Sequence, residues 1–282
     1  MGEKEVFLHT MIGLYGLGKV ERERLTQLIR RSRGIISVKE AAEILGIKPS
    51  EVAKMLSRWS EKGWVSRISR GVYLPVPIEA QTPDISIEDS WAIAERLFSP
   101  CYIGGWSAAE YWDLTEQIHR TLVILTEKKP RKRKISIRNI NFWLRTVPNK
   151  AMFGLKPVWR GQIKVEVSDP ARTVIDLMND PALGGGLRPT AEIFLHYLKS
   201  NHKDMALLIN YAEKLGNGAA FKRLGFLIEK LAPQEEESMA ACRSRLTQGN
   251  AKLDPSIPAG RLVTKWKLWV PENWRQEATD DK

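Results

Sequence analysis

Cysteine is scarce in this chain, and that scarcity is informative. Cys101 and Cys242 are the only two in 282 residues, and they lie far apart. They offer neither a disulfide framework nor the paired spacing of a zinc site. The four histidines, His9, His119, His196 and His202, are equally scattered, and none belongs to an HExxH or another one-face ligand pair. There is no GxSxG elbow and no Cys/His pair at a nucleophile's spacing. No apolar run approaches the ~20 residues of a membrane helix. The opening MGEKEVFLHTMIGLYGLGKV has acidic residues where a secretory signal is basic, and glycines break its apolar part. These absences predict a soluble, reduced, cytoplasmic protein without cofactor, resident metal or membrane association.

Acidic residues are in deficit as well. Lys and Arg number 44 against 33 Asp and Glu, a formal charge of +11. The excess divides almost evenly between residues 1–80 and the remainder. Such a chain is drawn to phosphate by a salt-dependent term that ignores base sequence. Hydrophobic content, at 43%, is ordinary for a globular protein, and the length suits two domains.

Residues 21–31, ERERLTQLIRR, place Leu25, Leu28 and Ile29 at helical spacing, with Gly34 as the stop. In GIISVKEAAEILGI, Ser37 reads as an N-cap and Glu40, three residues on, completes a capping box. Val38, Ala41, Ala42 and Leu45 form the inner face, and Gly46 ends the helix. A third helix, KPSEVAKMLSRWSEKG, follows. Pro49 opens it, Glu51 complements its dipole, and Val52, Met55, Leu56 and Trp59 define its buried side. WVSRI, the turn Ser69-Arg70-Gly71 and VYLPV then read as a hairpin.

Three helices with a tight turn before the third, followed by a basic hairpin, predict a winged helix-turn-helix over roughly residues 19–78. The third helix would enter the major groove of double-stranded DNA. Lys54 and Arg58, one turn apart, would face the bases, with Ser50 and Ser57 hydrogen-bonding beside them. Arg67 and Arg70 on the hairpin would reach flanking backbone or minor groove. Nearby, Gly13–Val20 mimics a phosphate-binding P-loop, but Val20 stands where Ser or Thr must hold magnesium. A glycine-rich lead into the first helix is the better reading.

Pro75, Pro77 and Pro83 mark a connector, which places a domain boundary near residue 84. Residues 1–84 form the DNA-binding part and 85–282 a second, α+β part. In the latter, SIEDSWAIAERLF reads as a helix with Trp91, Ala94, Leu97 and Phe98 inward. CYIGGWSAAEYWDL reads as a strand, a Gly-Gly turn and a helix capped by Ser107. TLVILT is a buried strand, and ISIRNINFWLRTV and QIKVEVSD are two further strand regions. Asp169 caps PARTVIDLMND, with Pro170 in its first turn. Four helical segments follow, TAEIFLHYLKS, DMALLINYAEKLG, NGAAFKRLGFLIEKLA and ESMAACRSRL, then a late strand, TKWKLWV. Strands come mostly first and helices later, the order of an α+β domain.

Two features of this part invite chemistry. Asp113 precedes TLVILT and Glu127-Lys128-Lys129 follows it, an order some metal-dependent nucleases use for ligands and a charge-stabilising lysine. The run Glu127–Lys134, EKKPRKRK, puts Lys128, Lys129, Arg131, Lys132, Arg133 and Lys134 in one loop. It is either a solvated turn or a second phosphate-contacting patch.

In the order of KGWVSRISRGVYLPV, SDPARTVIDLM (Ser168–Met178), FKRLGFLIEKL (Phe221–Leu231) and TKWKLWV, the chain resembles the AbiEi family. This is the antitoxin and autorepressor half of AbiE toxin–antitoxin systems, which act in abortive infection, an antiviral defence. The resemblance implies a non-enzymatic repressor that binds inverted repeats upstream of its own operon. It also implies a nucleotidyltransferase-like toxin as functional partner, mostly neutralised without a stable complex. The DNA role falls by that likeness on Ser50, Lys54, Ser57, Arg58, Arg67 and Arg70. Arg172, Thr173 and Asp176 lie in a family-like motif but read as structural, through helix capping and an internal ion pair. No heptad pattern is present, so a monomer that places two copies on the DNA is expected. The alternatives from other classes are a DNA-targeted nuclease and a ligand-responsive regulator without a toxin.

Overall fold

The computed structural model describes residues 18–32, 35–76, 89–137, 139–161, 163–258, 260–272 and 274. It is a mixed fold of helices and sheets, an N-terminal helix-turn-helix region followed by a larger α/β part. The chain divides into two compact units. One comprises residues 1–97 with 136–141 and 159–163, and the other comprises 98–135, 142–158 and 164–282. Pro75, the first proline of the expected connector, instead ends a strand opposite Val65, while Pro77, Pro83 and the boundary near residue 84 lie outside the described residues.

The first unit begins with α1 (Lys19–Arg31), β1 (Ile36–Ser37), α2 (Val38–Leu45), α3 (Pro49–Glu61), β2 (Val65–Ser69) and β3 (Val72–Pro75). The strands form an antiparallel sheet in the order β1-β3-β2. β1 is too short to show an alternating pattern and is invisible in the sequence. It exists because Ile36 pairs with Tyr73 and Ser37 with Val72. The core joins Leu25 and Leu28 to Ala41, Val52, Leu56, Trp59, Trp64 and Tyr73. Ile29, read as an inner residue of α1, is instead 43% exposed. The buried stripe of α1 is narrow and ends one residue short of it. Gly34, the expected stop, lies outside the described residues; Ser32 caps the helix with its N–H on the Leu28 carbonyl.

Helix α4 (Ser90–Phe98) is capped by Asp89, whose carboxylate accepts from the Trp91 and Ala92 amides. Its Arg96 bonds the carbonyls of Ser32 and Ile35 and pairs with Glu40 at 2.9 Å. The capping box at α2 is therefore only half built. The Ser37 hydroxyl accepts from the Glu40 amide, but the Glu40 carboxylate turns to Arg96. A charge-assisted pair outcompetes a bond to a neutral amide.

The second unit holds β4 (Cys101–Ile103), α5 (Gly105–Tyr111), β5 (Thr121–Thr126), half of β6 (Lys134–Ile137), and most of β7 (Ile140–Thr146), β8 (Leu155–Arg160) and β9 (Ile163–Ser168). The six strands order as β6-β7-β5-β4-β9-β8, with β4 antiparallel to β5 and parallel to β9. The helices α6 (Pro170–Asn179), α7 (Leu187–Lys199), α8 (Met205–Leu215), α9 (Gly218–Leu231) and α10 (Glu236–Ser244) follow. A small sheet closes the fold, β10 (Ala251–Lys252), β11 (Arg261–Val263) and β12 (Leu268–Val270), in the order β10-β12-β11. One core runs through the unit, from Tyr102 and Val123 through Val174, Phe194 and Phe226 to Trp266 and Leu268.

Four readings change here. The α5 helix starts at Gly105 with Gly104 as N-cap; Ser107 is buried instead and its hydroxyl accepts from the Val123 amide. ISIRNINFWLRTV is two strands, because Asn139 turns the chain at a φ of 62°. β8 is hidden in the sequence because Pro157 sits inside it, and proline argues against a strand. TKWKLWV strands only over β12, since Thr264–Trp266 is a 3₁₀ turn and Lys267 is left-handed.

The motif residues of this unit are structural. Asp169 caps α6 by accepting from the Arg172 amide at 2.7 Å. Arg172 and Asp176, both buried, pair at 2.9 Å, and the Tyr102 hydroxyl bonds both. The remaining edge of the Arg172 guanidinium has no hydrogen-bond partner, but the group sits 4.2 Å from the Phe153 ring centre, a cation–π contact. Arg223 in α9 donates to the Met178 and Asn179 carbonyls at the C-terminus of α6, and to Lys252 and Leu253. A buried cation thus complements a helix C-terminus and ties it to the small sheet.

Candidate nucleic-acid interface

The helix-turn-helix is set by its turn. Gly46 is left-handed at a φ of 66°, which stops α2 and frees Ile47 to pack against the core. Lys48 then caps α3 through its carbonyl, which accepts from the Glu51 and Val52 amides. Pro49 in the first turn costs nothing, because its missing N–H has no helical partner there. Val52, Met55, Leu56 and Trp59 are buried as the periodicity predicts.

The opposite face of α3 is open. Ser50, Lys54 and Arg58 are exposed and Ser57 is half-buried. Lys54, Ser57 and Arg58 share a shallow depression with Glu51 and Glu61. Spacing along the chain assigns Glu51 only to the helix dipole and gives Glu61 no role; the structure brings both carboxylates to this face. Their signal was present as i, i+3 neighbours of Lys54 and Arg58. They make the face formally neutral, which weakens indiscriminate attraction to phosphate. They also add acceptors suited to the cytosine amino group, beside cations suited to guanine.

The hairpin supplies the wing. Arg67 sits opposite Tyr73, and the register shifts by a bulge between Arg67 and Ser69. Gly71 turns at a φ of 78°, and its carbonyl accepts from the Val38 amide at 2.9 Å, which fixes the tip against α2. Arg67 and Arg70 are exposed. All six residues assigned to DNA therefore lie on α3 and its hairpin, within one unit.

The basic loop belongs to the second unit. Its six cations, Lys128 to Lys134, are exposed. The backbone beneath them is held: the Thr126 hydroxyl accepts from the Lys128 amide, Thr146 donates to the Lys128 carbonyl, and the Arg133 carbonyl accepts from Leu144. Lys134 opens β6, with its ammonium 5.5 Å from the Trp143 ring centre.

The nuclease arrangement gains nothing further. Among the described residues no three of His, Cys, Asp and Glu gather where they could hold a metal ion. Asp113 is an exposed left-handed turn residue, and Glu127 bonds Asn149. Most of the P-loop mimic lies outside the described residues; of the rest, Gly18 caps α1 and Lys19 and Val20 begin it. A recess of about 440 Å³ is lined by Leu187, Arg188, Ile257, Pro258, Gly260, Pro271, Glu272 and Trp274. Among the described residues no helix is long and apolar enough to cross a membrane.

The whole chain is similar in fold to the crystal structure of the RV2827C protein from Mycobacterium tuberculosis. The match has a TM-score of 0.56 at 14% identity, and covers 93% of this chain and 94% of that one. No curated protein matches the chain. Residues 23–76 match the family model described as "Transcriptional regulator, AbiEi antitoxin". That span runs from within α1 to the end of β3 and contains the α3 face and the wing. Over this segment the chain is similar to AbiEi-type transcriptional regulators.

Proposed function

We propose that this protein is a sequence-specific repressor that binds double-stranded DNA through α3 and its wing. It autoregulates its own operon at inverted repeats and counteracts a nucleotidyltransferase-like toxin. It acts without catalysis, as a monomer that places two copies on the DNA. Lys54, Arg58, Ser50 and Ser57 read bases, and Arg67 and Arg70 hold the flanking backbone. Residues 128–134 form a separate phosphate-attracting surface. The observation that carries this reading is the coincidence of the regulator match with the exposed α3 face. A test is repression of a reporter driven by the gene's upstream region. The wild-type chain is expected to silence it, and Lys54→Ala/Arg58→Ala to release it at equal protein level. Full repression by that variant would remove α3 as the reading element.

A ligand-responsive regulator is the second reading, favoured by the 440 Å³ recess, which falls within the size range of small-molecule sites. It predicts a small molecule that shifts operator affinity, and loss of that response in Arg188→Ala.

A further inference from the structure

Beside the basic loop, three aromatic rings gather on the surface of the second unit. Trp106 of α5 stacks on His119 with centroids 4.5 Å apart and planes within 16°. Trp143 of β7 also lies 5.3 Å from Trp106, its plane tilted by 41°. The Trp106 indole is fixed by its N–H, which donates to the Thr121 carbonyl at 2.7 Å. Both tryptophans brace against the core, yet all three rings are only half-buried, and each keeps part of its surface in water. His119 is flanked by Ile118, which is 86% exposed, and by the exposed Arg120. Lys134 joins the basic loop to the rings through its contact with Trp143.

A basic loop alone attracts any polyanion. Aromatic rings beside it add something only if the ligand has unsatisfied flat faces. In a duplex the bases are already stacked on one another, and protein rings cannot reach their faces. In a single strand they can, and stacking on an aromatic ring is tolerant of base identity. We propose that the His119–Trp106–Trp143 cluster and the 128–134 loop form a binding site for single-stranded nucleic acid. Bases stack on the rings, and the loop neutralises the backbone. Three carboxylates oppose phosphate here, Glu127 and Glu192, which accept from the neutral amides of Asn149 and Gln117, and Glu110, which acts on His119; the six cations of the loop outnumber them. Burial lowers the His119 pKa below its usual 6.5, so at neutral pH the imidazole is an uncharged flat surface.

The site shares no residue with α3, so the test uses the full chain both as wild type and as Lys54→Ala/Arg58→Ala. The probes are fluorescent T20, dU20 and U20 oligonucleotides and a random 20-base-pair duplex, read by anisotropy across a salt series. The expected result is tighter binding of the single strands than of the duplex, unchanged by the α3 substitutions. Comparison of T20, dU20 and U20 separates the thymine methyl group from the sugar and shows whether the site prefers DNA or RNA. Lys129→Ala/Arg131→Ala/Lys132→Ala should weaken single-strand binding and lower the salt slope by about 0.7 for each phosphate no longer neutralised. His119→Ala should weaken it roughly five- to a hundredfold with the salt slope unchanged. Trp143→Leu, which keeps an apolar side chain in the strand but removes the ring, gives a second reading of the stack. Equal affinity for duplex and single strand would overturn the proposal. So would weaker binding in the charge variant with no change in His119→Ala or Trp143→Leu, since attraction would then be to phosphate alone.

Discussion

Removing Arg172 should destabilise the second unit by an amount that depends on pH. The guanidinium is fully buried and Asp176 is 2% exposed, paired at 2.9 Å, with Tyr102 closing the cluster. Breaking a buried pair from one side costs about 3–5 kcal/mol, because the surviving charge loses its partner in a medium that solvates it poorly. That is a large share of a typical total stability of about 5–15 kcal/mol. In Arg172→Met the survivor is Asp176. Burial already raises its pKa above the usual 3.8, and Arg172 is the largest influence pulling it back. Without Arg172 the pKa rises further, and the folded state binds a proton that the unfolded state releases. Such a group favours folding fully below the unfolded pKa, and the benefit is lost as pH rises through the folded pKa. Urea unfolding of the full chain should therefore show Arg172→Met losing more stability at pH 7.5 than at pH 4.5. Arg172→Met/Asp176→Leu should recover much of the loss and flatten the pH dependence. A single variant costing under about 1 kcal/mol, or a double variant no better than the single, would refute the reasoning.

Other consequences follow from particular contacts. If the wing holds the DNA backbone as proposed, Arg67→Ala/Arg70→Ala should weaken binding to specific and random duplexes alike and reduce the salt slope, as measured by titration. Gly225→Ala would put a methyl group 2.1 Å from the ring of the buried Trp266, so thermal melts should show a loss of at least about 1–3 kcal/mol. Ser37→Ala should lose about 1 kcal/mol by removing the acceptor of the Glu40 amide, readable in the same melts. Burial pushes the Cys242 thiol up to about 12, so it should resist Ellman's reagent at pH 8 until the chain is unfolded.

The winged helix was legible because its signals are local. Pro49, Gly46 and the 52–55–56–59 stripe each act within a few residues, and the structure uses each as read. What escaped depends on residues distant in sequence. β1 exists only through Tyr73, and Glu40 leaves its box for Arg96, which lies 56 residues away. The Ser107 hydroxyl serves Val123 rather than its own helix. On the candidate interface, spacing shows the cations of α3, while Glu51 reads only as a dipole partner and Glu61 has no distinct signal, because an acidic residue on a helix has several ordinary uses. The ring cluster joins α5, a loop and β7, and no window along the chain contains all three of its members.

The central claim is that α3 reads duplex DNA. It is tested most directly by titrating the purified protein onto a labelled duplex from upstream of its own gene, with a scrambled duplex as control, across a salt series. The account predicts tight binding to the upstream duplex alone, weakening steeply with salt, and abolished in Lys54→Ala/Arg58→Ala. Equal, weak binding to both duplexes would contradict it and leave the basic surface as a generic one.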